Sequence, residues 1–537
     1  MSSIGRIRAS WMRLCAVMLA SGAMVACGSL SSPSSAVAAG NQWAMMEDGP
    51  SLIRNPAQTL QTLRSLGVSV VRLNLAWQDV APNPNSRSRP GGNLADPNHG
   101  YNWSQYDRLL NAIRSYGMNV DLLVGGGAPL WATRPGAPRP SSQFGSFQHV
   151  WFPSASDYRN FVQAVATRYS WVNIWELWDE PNWGPALAPQ YNGSALVSAR
   201  LFRQLLNAGW SALKATGHSQ QTVIAGSLSQ DGSAHVGQTG TTAPLTFMRA
   251  LYCVDSRYQQ LRGGAASAIG CPTTNAASRK FPGNNPGLFD ATGVGVHPYP
   301  YAQPPNRAQF PDPNGVEFNE IPHLTSLLDR VNRAYGSRKR MRAFNTEYGY
   351  QVGYVSASNA ARYINWAEYL SYKDGRIASY DQFELQDPAT GFKTGLINAN
   401  RTLKPAYGAY RMPIWLPRTS TSRGRSLGVW GAVRPANNAR ISTGKTQFVA
   451  IQLNGRTIKT VQITNGGGYI DTSVKFPHGG HVRLAWQYPN QPWANSAFVH
   501  DAGKVIYSMS IGIALHWARE VPSPKWRRRA IPTRFWG

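Results

Sequence analysis

The chain has 537 residues with 53 Lys and Arg against 26 Asp and Glu, a formal net charge of +27, and an ordinary apolar content of 42% with 19 Trp and 23 Tyr. That length buries one large core with room for a second domain, and the apolar content excludes a disordered polymer. The charge draws polyanions, but no nucleic-acid recognition motif is present and specific nucleic-acid binding is not expected; an anionic envelope polymer met by the basic surface and tail, or a plain solvated surface, is the reading.

Residues 1–39 read as an export leader. Arg6, Arg8 and Arg13 precede an apolar run from Leu14 to Ala26 that is too short for a comfortable membrane span. Ala36-Val37-Ala38 fits small-residue cleavage and release of a secreted, extracellular chain, while Met24-Val25-Ala26-Cys27 offers lipid anchoring through Cys27 as the alternative. No other segment is long and apolar enough to be a transmembrane segment of the mature chain. Cys253 and Cys271 are then the remaining cysteines, expected as a disulfide after export, with two free buried thiols as the other possibility. Without a histidine beside them they make no zinc site, and neither metal nor cofactor is expected.

From Asn41 short apolar strands alternate with amphipathic helices, the pattern of a βα-repeat. Strands are expected at 44–48, at 70–77, at 120–124, from 172, at 223–226, within 293–301, at 342–347 and at 380–384. Between them, Leu60, Leu63 and Leu66, then Leu109, Leu110 and Ile113, then Tyr158, Phe161, Val162 and Val165 follow helical spacing. Eight strands over residues 40–415 predict an α/β (β/α)8 TIM barrel with insertions, the largest lying between strands five and six and containing both cysteines.

Two strand ends carry the chemistry. Trp175-Glu176-Leu177-Trp178-Asp179-Glu180-Pro181-Asn182-Trp183 ends its strand at a proline, which cannot donate to a ladder, and leaves Glu180 between tryptophans that favour a neutral acid. Arg342-Ala343-Phe344-Asn345-Thr346-Glu347-Tyr348-Gly349 ends on a second glutamate. Paired carboxylates roughly 5–5.5 Å apart are what a retaining glycosidase needs.

Together these segments resemble the Trp-Asn-Glu-Pro-Asn and Thr-Glu-aromatic-Gly strand ends of glycoside hydrolase clan A, retaining enzymes on a (β/α)8 barrel that include family 5 cellulase-like and family 39 enzymes. The resemblance implies Glu180 as acid/base, Glu347 as nucleophile, a β-linked carbohydrate substrate, and no cofactor. His297-Pro298-Tyr299 is similar to the clan's strand-six His-x-Tyr, whose tyrosine orients the nucleophile. Arg72 resembles its strand-two arginine, although an ion pair with Glu176 accounts for Arg72 equally well. Asp179 stands where the clan has Asn, and an ionised carboxylate can only accept a hydrogen bond. A tuned or weakened site, a carbohydrate-binding protein without turnover, and a transglycosylase are therefore the alternatives. Trp77, Trp131 and Trp183, just past strand ends, are candidates for sugar stacking, and Gln382 for binding hydroxyls.

After Pro413 the helical periodicity stops. Residues 416–425 read as a Ser/Thr/Arg linker, and 426–518 as a small all-β sandwich that braces the barrel or binds carbohydrate. Residues 519–537 read as a basic, disordered tail.

Overall fold

A computed structural model describes residues 42–139, 146–234 and 236–516. The leader with Cys27 and the tail over 519–537 lie outside the described residues.

Eight parallel strands form one sheet: β1 (Trp43–Glu47), β2 (Val70–Ala76), β3 (Asn119–Gly125), β4 (Ile174–Leu177), β5 (Thr222–Ser229), β6 (Gly293–His297), β7 (Arg342–Asn345) and β8 (Ser379–Phe383). They neighbour one another in chain order, and β8 also pairs with β1. A parallel bridge between Ala343 and Ile377 brings β7 against the start of β8 and closes the barrel. The expected (β/α)8 fold is thus present. Three strands are shorter than the sequence predicts: β2 stops at Ala76 because Trp77 opens a short helix, β4 runs only from Ile174 to Leu177, and β7 stops before Glu347, which sits free of the ladder.

Helices α1 (Pro56–Leu66), α2 (Ser104–Ser115), α3 (Ala155–Arg168) and α4 (Val197–Ala215) wrap the first half of the barrel; α5 (Ile321–Ala334) and α6 (Ala357–Lys373) follow β6 and β7. Asn55 and Ser154 cap α1 and α3 by accepting from the N–H groups of Gln58 and Asp157, which otherwise lack a partner in the first turn. Alternation along the strands divides the side chains. Val71, Leu73, Leu75, Val120, Leu122 and Val124 face outward into the main core under the helices, whereas Met45, Val70, Ile174, Ile224 and Phe344 form an apolar floor inside the barrel. One step nearer the strand ends the interior turns polar. Glu47, Arg72 and Asp121 sit side by side across β1, β2 and β3.

The C-terminal region is two sheets around a second core. One sheet holds β9 (Ile414–Trp415), β11 (Ser426–Ala432) and β14 (Tyr469–Lys475). The other holds β10 (Ser420–Ser422), β12 (Gln447–Leu453), β13 (Arg456–Ile463), β15 (Gly480–Gln487), β16 (Val505–Tyr507) and β17 (Ile511–His516). Val429 and Val474 from the first meet Val449, Ile451 and Leu484 from the second. Residues 416–425 are no free tether, since β10 pairs in parallel with β17. Within 416–516 the acidic residues are Asp471 and Asp501, and each pairs with a barrel cation, Lys373 and Arg411 respectively. The buried Glu368–Arg434 pair adds a third cross-link, with Tyr469 donating to Glu368 at 2.9 Å. These bonds fasten the sandwich to the barrel's side.

Candidate active site

Arg72, fully buried at mid-barrel, organises the mouth. Its Nε and Nη2 donate to the two oxygens of Glu176 at 2.8 and 3.0 Å, Nη2 donates to Asp179 at 2.9 Å, and Nη1 donates to Glu347 at 2.8 Å and to Glu47. A buried guanidinium is costly unless its donors are used, and here every nitrogen has a carboxylate. The Glu176 ion pair expected from the sequence is present, and Arg72 also reaches Glu347. Ser227 on β5 donates to Glu176 and lies 2.7 Å from Thr346 Oγ1. This close approach requires glycine at 295, where a Cβ would fall 2.0 Å from Ser227 Oγ.

Glu180 and Glu347 converge from β4 and β7. His297 Nδ1 lies 2.9 Å from Glu180 Oε1 and 3.5 Å from Glu347 Oε2. The nearest oxygens of the two carboxyls are therefore at most about 6.4 Å apart, a bound that admits the roughly 5–5.5 Å separation of a retaining pair. Tyr299 OH donates to Glu347 Oε2 at 2.9 Å. Both glutamates keep partial exposure, 16% and 15% of their side chains, so they face the cleft.

Five carboxyl groups, Glu47, Glu176, Asp179, Glu180 and Glu347, thus crowd two cations, Arg72 and His297. Burial raises the Glu347 carboxyl above the ordinary range; His297 and Arg72 oppose it, and Glu47 and Glu180 reinforce it. Burial lifts Asp179 to about 7 against the pull of Arg72 and His297. His297 goes the other way: burial would lower it, but Glu347, Glu180 and Asp179 together carry it to about 10, so the ring is cationic at neutral pH. Beneath this layer Asp121 and Asp381 are wholly buried with no hydrogen-bond partner among the described residues, and burial raises both carboxyls well above their ordinary range.

The backbone at the acid is held in an unusual shape. Trp178 and Glu180 have φ of 72° and 37°, in the left-handed region that side chains disfavour. Asn182, fully buried, clamps the turn: it accepts from Ser229 N–H at 2.9 Å and donates to the carbonyls of Ser229 and Thr242 at 3.1 and 2.9 Å. Gln190 adds a bond to the Pro181 carbonyl at 3.0 Å. The Pro-Asn after Glu180 signals this clamp; Gln190, Ser229 and Glu47 carry no local signal, because their partners lie on other strands or loops.

Not every expected residue reaches the cleft. Trp77 is 0% exposed and stacks on Phe161 at 5.3 Å, so it packs the core and offers no sugar platform. Trp131 is buried too, edge-on to Trp77, its indole N–H donating to the Pro82 carbonyl. Gln382 is buried and its amide donates to the carbonyls of Phe383 and Thr394, tying the end of β8, while its Oε1 has no hydrogen-bond partner among the described residues. Position just past a strand end did not distinguish ring faces turned to the cleft from those folded under a loop. Trp183 keeps partial exposure next to Glu180. Phe392, 38% exposed, lies 5.1 Å from the Tyr299 ring.

Glu176, Asp179 and His297 carry donor atoms within 4.8 Å of one another, the only such cluster among the described residues. Arg72 already donates to both Glu176 oxygens and to Asp179, so a cation occupies the place a metal would take. The expected Cys253–Cys271 disulfide is present on the insertion between β5 and β6.

No protein-family model and no curated relative matches the sequence. Among solved structures, the chain is similar to a family 39 glycoside hydrolase from Bacteroides cellulosilyticus at 14% identity and TM-score 0.44, covering 82% of this chain and 80% of that one. A glucosidase from Croceicoccus marinus matches at 12% identity and TM-score 0.44, covering 82% and 94%. A β-glucosidase from Thermotoga maritima matches at 13% and 0.43, covering 69% and 96%. The fold described above rests on the sheet order itself.

Proposed function

We propose that the chain is a secreted, retaining β-glycoside hydrolase acting on a β-linked oligo- or polysaccharide. The observation that carries this reading is the approach of Glu180 and Glu347 to one nitrogen of His297. Glu347 attacks the anomeric carbon as the bond to the leaving oxygen breaks, and Glu180 gives that oxygen a proton. Glu180 then takes a proton from water, whose oxygen displaces Glu347. His297 donates Nδ1–H to Glu180 Oε1 and leaves the other oxygen to carry the transferred proton. Arg72 and Tyr299 hold Glu347 with one oxygen each. The excess of carboxyls over cations supports a proton staying in the site. Export rests on the leader sequence, and the disulfide agrees with it.

Aryl β-glycosides and their 2-fluoro analogues test the reading. Glu347→Gln and Glu180→Ala should each abolish nearly all turnover, azide should rescue only the second, and the fluoro sugar should label Glu347. Full activity in Glu347→Gln refutes the nucleophile. A second reading, a binding protein on the same site, is motivated by Asp179, and a transglycosylase would use the same residues. Sugar binding without labelling would select the former, and transfer products at high acceptor the latter.

A further inference from the structure

Three ring-bearing loops meet around Asp231, which the Asn182–Ser229 clamp ties to the turn that carries Glu180. Tyr301 OH donates to Asp231 Oδ2 at 2.6 Å and accepts from Gln230 at 2.8 Å. Its ring lies 5.4 Å from Phe310 at 73° and 6.3 Å from Tyr354 at 50°. Phe310 and Tyr354 are 57% and 50% exposed. The Phe310 loop is not slack: Glu317, itself buried, accepts from the N–H groups of Gln309 and Phe310 at 2.6 and 2.7 Å. Both rings pack against Tyr301 on one side and leave about half of their surface open to solvent. The Asn182–Ser229 clamp joins this ledge to the acid, with Glu180 two residues before Asn182 and Asp231 two after Ser229. The charge of Glu180 is felt at Asp231.

Resting on the proposed hydrolase reading, we infer that Asp231, Tyr301, Phe310 and Tyr354 form the leaving-group subsite, and that it takes an uncharged pyranose. Proton donation by Glu180 fixes the side on which the leaving group sits. Aromatic faces cover the C–H faces of a sugar ring, and a carboxylate accepts from hydroxyl groups while repelling another carboxylate. A cleft with Asp179, Glu180, Asp231 and Glu347 at its surface disfavours uronic acids, although the chain as a whole is strongly basic. The basic exterior and the acidic mouth therefore address different molecules.

The test uses the full mature chain carrying Glu347→Gln, titrated calorimetrically with cellobiose, xylobiose and mannobiose and with an aldobiouronic acid. Asp231→Asn and the Phe310→Ala/Tyr354→Ala pair are then added separately, with melting curves to confirm folding. At least one neutral disaccharide should bind, the uronate should bind ten-fold more weakly or worse, and each addition should weaken the neutral ligand about ten-fold. Failure of every neutral disaccharide to bind, tighter binding of the uronate, or affinities indifferent to both additions overturns the subsite. If the aromatic pair does not fold, Asp231→Asn alone decides. Binding that depends on these residues in a chain whose unaltered form turns over no aryl glycoside keeps the subsite and removes the catalytic reading. Aryl glycoside turnover with indifferent disaccharide binding does the reverse.

Discussion

Arg72 Nη1 donates to Glu347 Oε1 at 2.8 Å from a position wholly shut off from water. One guanidinium thereby couples the interior of the barrel to the carboxylate proposed to attack. Removing it strands Glu176 and Glu47, so Arg72→Met should cost about 3–5 kcal/mol of stability, read by chemical denaturation. The same change removes a charge that lowers the Glu347 pKa. The acid limb of the pH–rate profile should then move to higher pH in any variant that folds. Arg72→Lys, which keeps the charge and loses the fork, should retain part of the stability and little activity. An unmoved acid limb would contradict the coupling.

Asp179 lifted to about 7 gives the mouth a built-in pH dependence. Below that value the carboxyl is neutral and can donate as an asparagine amide does; above it, the anion only accepts. Activity should fall as pH rises through 7, and Asp179→Asn should flatten that limb, giving about two- to ten-fold more activity than the unaltered chain at pH 8–9. The same decline in both chains between pH 6 and 9 would exclude Asp179 as its source.

Phe392 lies 38% exposed beside Tyr299, whereas Trp131 is buried edge-on to Trp77. Phe392→Ala should raise KM about two- to ten-fold, the worth of one exposed aromatic contact, with melting unchanged. Trp131→Ala should cost about 3–5 kcal/mol of stability, with KM nearly constant as long as the protein is folded. Steady-state kinetics paired with calorimetry separates the two.

The Cys253–Cys271 bridge closes a loop of separation 18 around the buried Arg203, whose guanidinium donates to the Leu251 and Ile269 carbonyls at 2.8 and 2.7 Å. Replacing both cysteines with serine should cost about 3 kcal/mol and leave aryl glycoside turnover intact below the melting range. Loss of turnover in the folded variant would tie the insertion to the site.

Much of the architecture could be read along the chain, because strand and helix periods are local and a βα-repeat has few ways to pack. The carboxylate pair was legible for a related reason: each glutamate follows a strand within three residues, and barrel strands place their carboxyl ends on one face. The ring faces were not legible. Trp77 and Trp131 follow strand ends as Trp183 does, yet only the loop path decides which ring meets water.

The sequence by itself determined the barrel, the two glutamates and the cysteine pair, each announced by a spacing or a short motif. Tertiary structure alone decided that Arg72 serves four carboxylates at once, that His297 stands between Glu180 and Glu347, and that Phe310 and Tyr354 are held open beside Asp231. These relationships join residues tens to hundreds of positions apart. Charge and burial act through space, and no local pattern records which distant side chain arrives within 3 Å.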